Sequence, residues 1–393
     1  MTFAFRVETR DGRARTGSFA TPHGEVQTPA FMPVGTRATV KGVRPEELRA
    51  LGTQMLLANT YHLALRPGAE LVRELGGLHR FMGWNGPILT DSGGYQIFSL
   101  QALTAIDEDG ATIRSVVDGA KLRFTPESVM GLERALGADV IMALDHCPSD
   151  PSNRAEVEAA TERTHRWLAR CVADWREHGG VATGQALFGI VQGGAFDDLR
   201  VRSVEAVTAH ELPGYAIGGV SVGEDRVAMR RAVEAAAPLL PDEKPRYLMG
   251  VGTPLDLYEA VRAGVDLFDC VTPTRHGRNH QAFTWEGRLN LRNAVHERDP
   301  RPLEEDCDCP ACTRFSRAYL RHLCRTGEML AAILLTQHNL RFFHRCMESM
   351  RAAIERGTLP ELESSIAQAQ ARGPGAGRPD PLPPPPQLRS SDA

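Results

Sequence analysis

Three cysteines stand within six positions of EEDCDCPAC (304–312): Cys307, Cys309 and Cys312. The spacing C-x-C-x2-C suits thiolates gathered on one tetrahedral metal, and a closed structural zinc site takes four ligands. The fourth is open among Cys324, Cys346, His322, His338 and His344. Upstream, three aspartates each end an apolar run: Asp91 in PILTDSGG, Asp145 in DVIMALDHC and Asp269 in VDLFDCV. Two carboxylates can run a retaining glycosyl displacement, one attacking the anomeric carbon and the other handling protons. A third carboxylate beside the amide of Gln192 can read the edge of a base. Singly, each has a bland reading, because an Asp at a strand end often caps a helix and glycines there make tight turns. On one mouth together, they read as a site.

The elements that would gather them follow one rhythm. Between about residues 29 and 270, eight short apolar runs alternate with amphipathic stretches: 30–34, 54–60, 87–94, 139–147, 186–194, 215–224, 246–252 and 265–271. Helical patterns such as 154–175 and 224–240 lie between them. The pattern predicts an α/β fold, a closed (β/α)8 TIM barrel with its chemistry at the C-terminal strand ends. An open doubly wound sheet lacks support, since no G-x-G-x-x-G opens a helix after the first strand. Strand ends in order would present Asp91-Ser92 with Tyr95, Asp145, Gln192, Gly218-Gly219, Met249 and Asp269. An inserted lobe with short β pieces is expected at 95–125, after strand three, and a cysteine-bearing lobe after strand eight. The expected division is a barrel at 1–270 behind a short N-terminal β segment, a metal-binding lobe with C-terminal helices at 271–365, and a disordered Pro-rich tail at 371–393.

Composition narrows the partners. The chain of 393 residues carries a net charge of only −4 with 42% hydrophobic residues, so no global field advertises a polyanion. Residues 275–356 nonetheless hold 14 Arg against 10 Asp and Glu, a local basic face of the kind that binds phosphates. The charged start MTFAFRVETRDG is unlike a secretory signal, and no run of 18 apolar residues appears. Eight cysteines in such a chain fit a reducing, cytoplasmic setting, where clustered cysteines read as metal ligands before disulfides.

Long stretches resemble the tRNA-guanine transglycosylases (queuine tRNA-ribosyltransferases), in their bacterial form. The matching segments are ANTYHL (58–63), PILTDSGGYQIFSL (87–100), FGIVQGG (188–194), YAIGGVSVGE (215–224), YLMGVGTP (247–254), DLFDCVTPTRHGRNHQAFT (266–284), the cysteine cluster and HNLRFF (338–343). The resemblance runs from about residue 3 to 365. It implies that Asp269 is the nucleophile, forming a covalent adduct with the ribose of the tRNA wobble nucleotide, and that Asp91 is the general acid/base. Asp145, Gln192, Ser92 and the backbone at Gly219 and Val220 would hold the base, and Tyr95 and Met249 would stack on it. Core packing is the bland alternative for those two.

The resemblance also implies exchange of guanine for 7-aminomethyl-7-deazaguanine in tRNAs with G-U-N anticodons, for queuosine biosynthesis, by a homodimer. Arg275 and Arg278 would contact the anticodon backbone. The family pattern puts its fourth zinc ligand at His338, expected to open a helix, while Cys324 sits among apolar residues at helical spacing. The expected set is one structural Zn2+ on Cys307, Cys309, Cys312 and His338. Val222 and Cys147 would line the side of the pocket facing the 7-substituent. Two departures stand out: His146 where an acid is common, bringing pH dependence, and His280 where Gly is common. The competing reading, a non-catalytic tRNA-binding homologue, could dispense with the two carboxylates. A sugar glycosidase fits poorly with the metal cluster and with only 4 Trp.

Overall fold

The computed structural model describes residues 3–115, 119–220 and 225–372. Eight parallel strands form the centre: Ala30–Pro33, Leu56–Asn59, Ile88–Asp91, Val140–Met142, Ala186–Val191, Gly214–Ile217, Arg246–Leu248 and Leu267–Cys270. Each pairs with its sequence neighbours, and the last pairs with the first. A bridge between Val34 and Leu57 brings the first strand to the second and closes the ring. This is the expected (β/α)8 barrel.

Alternation along the strands sorts side chains into two layers. Met32, Leu57, Leu89, Met142, Phe188, Ala216, Tyr247 and Leu267 fill the interior. Their neighbours Phe31, Leu56, Ile88, Ile141, Leu187, Tyr215, Leu248 and Phe268 belong to the larger outer cluster, which includes residues of the helical layer. With both faces covered, the strands read as continuous apolar runs rather than alternating ones. An antiparallel sheet of Phe5–Asp11, Ala14–Thr21 and Gly24–Thr28 joins the interior cluster through Phe19, whose ring lies 6.0 Å from that of Phe188. Arg15 ties this sheet to the start of strand eight, its Nε and Nη2 donating to Asp266 at 2.9 and 2.6 Å.

The lobe after strand three is a helix, Gly94–Ser99, followed by a three-stranded antiparallel sheet of Thr104–Ile106, Ala111–Arg114 and Lys121–Phe124. After strand eight come the helix Thr272–Arg278, the hairpin Gln281–Thr284 with Gly287–Asn290, and helices Pro310–Arg314, Arg317–Thr326, Met329–Arg356 and Leu359–Arg372. Gly327, with φ of 76°, ends helix Arg317–Thr326. The expectation that His338 opens a helix is corrected: it lies inside the 28-residue helix Met329–Arg356. The polar run Thr336, Gln337, His338 and Asn339 is buried, and Asn339 takes remote partners, accepting from Phe283 N at 2.9 Å and donating to Pro273 O at 3.0 Å. Of the Pro-rich tail expected at 371–393, residues 371 and 372 instead end the helix Leu359–Arg372, while 373–393 and Val222 lie outside the described residues. Among those described, no helix is long and apolar enough to cross a membrane.

Candidate active site and metal centre

The inward-facing parity of strand eight continues from Leu267 to Asp269, and that of strand three from Leu89 to Asp91. Both carboxylates therefore emerge at the mouth. Asp269 is nearly buried, and its Oδ1 accepts two bonds, from Tyr247 Oη at 2.6 Å and from Gly250 N at 2.7 Å. Among the described residues Oδ2 has no such bond. Burial raises the Asp269 pKa, and the Tyr247 and Gly250 donors oppose that rise. Asp91 accepts from Asn59 Nδ2, its register partner on strand two, and from Thr60 N at 3.2 Å. Burial, reinforced by the charge of Asp269, pushes its pKa up to about 7 against those bonds. The two carboxylates thus sit in unlike surroundings, and Asp91 is placed to exchange a proton near neutral pH.

Asp145 stands three residues past strand four. Its oxygens accept from Ser92 Oγ at 3.4 Å and Gln192 Nε2 at 2.8 Å, with the Cys147 thiol 3.7 Å away. Burial raises it to about 6 against those donors. Gly94 is required here, because a Cβ would lie 1.8 Å from Asp145 Oδ1. Among the described residues Gln192 Oε1 is buried without a partner, an acceptor waiting for a donor. Gly219, at φ +60°, passes so close that a Cβ would lie 2.1 Å from that oxygen. Asp145, Ser92, Gln192, Gly219 and Cys147 form one connected wall, and Val220, buried, follows it in the chain. Met249 lies beside it, its Sδ 3.4 Å from where a Gly218 Cβ would be. Tyr95 is 54% exposed, so its ring is outside the core, while Met249 packs on the interior cluster and stays partly open.

Three functional candidates escaped the sequence reading: Tyr247, Asn59 and Arg200. Tyr247 shares strand parity with Met249, and Asn59 lies in ANTYHL, so both carried a signal. Arg200 carried none, because its partners are backbone carbonyls.

Arg275 and Arg278 lie on the helix Thr272–Arg278, directly after the strand that carries Asp269. Arg275 is exposed and Arg278 half-buried, and neither is in an ion pair among the described residues. His280 has φ of 63°, in the left-handed region that glycine adopts most readily. His146 is held near Arg163, and burial followed by that guanidinium lowers it to about 4.

At the far lobe, the Cys307, Cys309 and Cys312 sulfurs lie 3.8, 3.5 and 3.3 Å from His338 Nδ1. A zinc tetrahedron with bonds of about 2.3 Å to sulfur and about 2.0 Å to nitrogen has edges of about 3.6 Å, so the donor set fits that metal. His338 Nε2 is 2.8 Å from Phe283 O, a donation that turns the Nδ1 lone pair toward the thiolates. Cys324 is buried on its helix, outside this group. The chain therefore has a Cys3His group able to hold a metal.

A parallel barrel with paired carboxylates beside a base-reading wall defines a class, a barrel enzyme equipped for glycosyl exchange. A family profile described as queuine tRNA-ribosyltransferase matches residues 11–372. A queuine tRNA-ribosyltransferase of Herpetosiphon aurantiacus is 57% identical over 352 residues, covering 90% of this chain and 88% of the relative. One from Thermus thermophilus is 55% identical over 367 residues, covering 93% of this chain and 94% of the relative. The chain belongs to the queuine tRNA-ribosyltransferase family, whose members are pentosyltransferases.

Proposed function

We propose that the chain exchanges the wobble guanine of G-U-N tRNAs for 7-aminomethyl-7-deazaguanine by double displacement. The observation that carries this is Asp269, with Oδ1 bonded twice and, among the described residues, Oδ2 without such a bond, beside an Asp91 raised to about 7. Oδ2 attacks the anomeric carbon, and the glycosidic bond breaks as Asp91 protonates the leaving nitrogen. The incoming base then gives a proton to Asp91 and displaces Asp269, so two inversions retain the β configuration. Asp145 accepts from the donor edge of the base, Gln192 assists, and Tyr95 and Met249 cover its faces. The carbonyl of Val220 is the acceptor for the aminomethyl ammonium.

Zinc on Cys307, Cys309, Cys312 and His338 would hold the lobe rigid beside the mouth. Arg275 and Arg278 contact anticodon phosphates. Tyr319 and Met329, exposed on successive helices of the lobe, support a homodimer, and the eight free cysteines suit the cytoplasm. Labelled guanine exchange into a G-U-N tRNA tests the reading. Exchange and a denaturant-resistant tRNA adduct are expected from the wild type and neither from Asp269→Ala. An adduct persisting in Asp269→Ala would assign the nucleophile elsewhere.

A further inference from the structure

Arg200 lies on helix Asp197–Thr208, just after strand five, and is fully buried. A buried guanidinium needs partners, and this one finds four backbone carbonyls. Nε donates to Gly194 O at 2.8 Å, Nη1 to Val191 O at 3.1 Å and Gly218 O at 2.7 Å, and Nη2 to Gly219 O at 3.0 Å. One side chain thus fastens the glycine turns that end strands five and six.

The consequence lies on the other side of the peptide planes. The Gly218–Gly219 and Gly219–Val220 bonds are trans, so each carbonyl points opposite to the N–H of its own plane. With both carbonyls drawn to Arg200, the N–H groups of Gly219 and Val220 face away from the helix. Among the described residues neither finds an acceptor. Successive amides around a left-handed residue, here Gly219, form a concave donor pair that binds an oxygen bearing negative charge.

We propose that Arg200 is a positioning residue that turns the Gly219 and Val220 amides toward the substrate base and makes the pocket selective for a purine with an oxygen at C6. The inference rests on the base-exchange reading. A guanine leaving group gathers negative charge that spreads onto that oxygen, so preset donors there favour departure as well as binding. A lysine keeps the charge but loses the fork that reaches several carbonyls at once.

The test compares wild type with Arg200→Lys, both loaded with zinc. Expected in the variant is a guanine KM raised about tenfold, the worth of one hydrogen bond, with the KM for tRNA unmoved. The preference for guanine over 2-aminopurine, which lacks the C6 oxygen, should collapse. A purely structural arginine would leave that preference intact, and an unchanged preference in folded Arg200→Lys overturns the proposal. Should the variant not fold, wild-type competition decides: 2-aminopurine competing as well as guanine overturns the donor pair, and weak competition upholds it. A wild type that exchanges no guanine at all sinks the functional reading instead, a result separate from either.

Discussion

Asp91 and Asp269 are chemically alike and differ in what surrounds them. Tyr247 and Gly250 favour an ionised Asp269, whereas burial and the charge of Asp269 keep a proton on Asp91 up to about pH 7. The value of kcat/KM for tRNA reports the free enzyme, and it should fall as pH rises above about 7, when Asp91 has no proton to give. Asp91→Asn is expected to lose most activity and the alkaline limb with it. The raised pKa also has a sign in stability. An aspartate bound to its proton more tightly when folded costs stability once pH exceeds its unfolded value, and that cost grows until pH reaches about 7. Melting curves should therefore show Asp91→Asn gaining more over wild type at pH 8 than at pH 5.5. Asp145, raised to about 6, gives a separate limb. Below that pH it gains a proton and ceases to accept from the base, so the KM for the base should climb as pH falls, which initial rates at saturating tRNA would reveal. His146, by contrast, is held neutral down to about 4, so the pH dependence expected of it is moved out of the neutral range.

At the scale of elements, the metal centre joins a loop to the middle of a long helix. Cys307 and Cys309 come from the loop, Cys312 from helix Pro310–Arg314, and His338 from helix Met329–Arg356. Cys309→Ser should remove the metal and lower the melting temperature of the lobe, while Cys324→Ala should keep a full equivalent by metal analysis. Zinc surviving in His338→Ala and lost in Cys324→Ala would exclude the ligand set argued here. The cysteine spacing was legible because three ligands lie within one turn of chain. The setting of His338 was not, because the helix that carries it runs through polar residues whose partners lie more than fifty positions away. Asp91 and Asp269 were legible for a related reason: each continues the inward parity of its own strand, and parity is a local property.

For the whole molecule, the question is which base enters. The resemblance implies that Val222, where eukaryotic forms carry glycine, lines the side facing the 7-substituent. The described part of that side is tight already, with Val220 and Cys147 both buried. The chain should use the aminomethyl precursor efficiently and queuine poorly, and Val222→Gly should gain queuine use. A single added group discriminates by about 1–3 kcal/mol in a packed pocket, and a whole ring by more. Competition between the two bases on one tRNA checks this, and equal use by the wild type would refute the steric argument. The sequence alone determined the barrel, the three aspartates, the glutamine and the cysteine triplet, because hydrophobic periodicity and short spacing are written in consecutive residues. Tertiary structure decided what no spacing encodes: which oxygen of Asp269 takes the Tyr247 and Gly250 bonds, why Asp91 holds its proton up to about pH 7, and that Arg200 grips four carbonyls behind the pocket. Those depend on burial and on backbone groups far apart in the chain. A backbone carbonyl has the same chemistry at every position, so only folding can single out the four that matter.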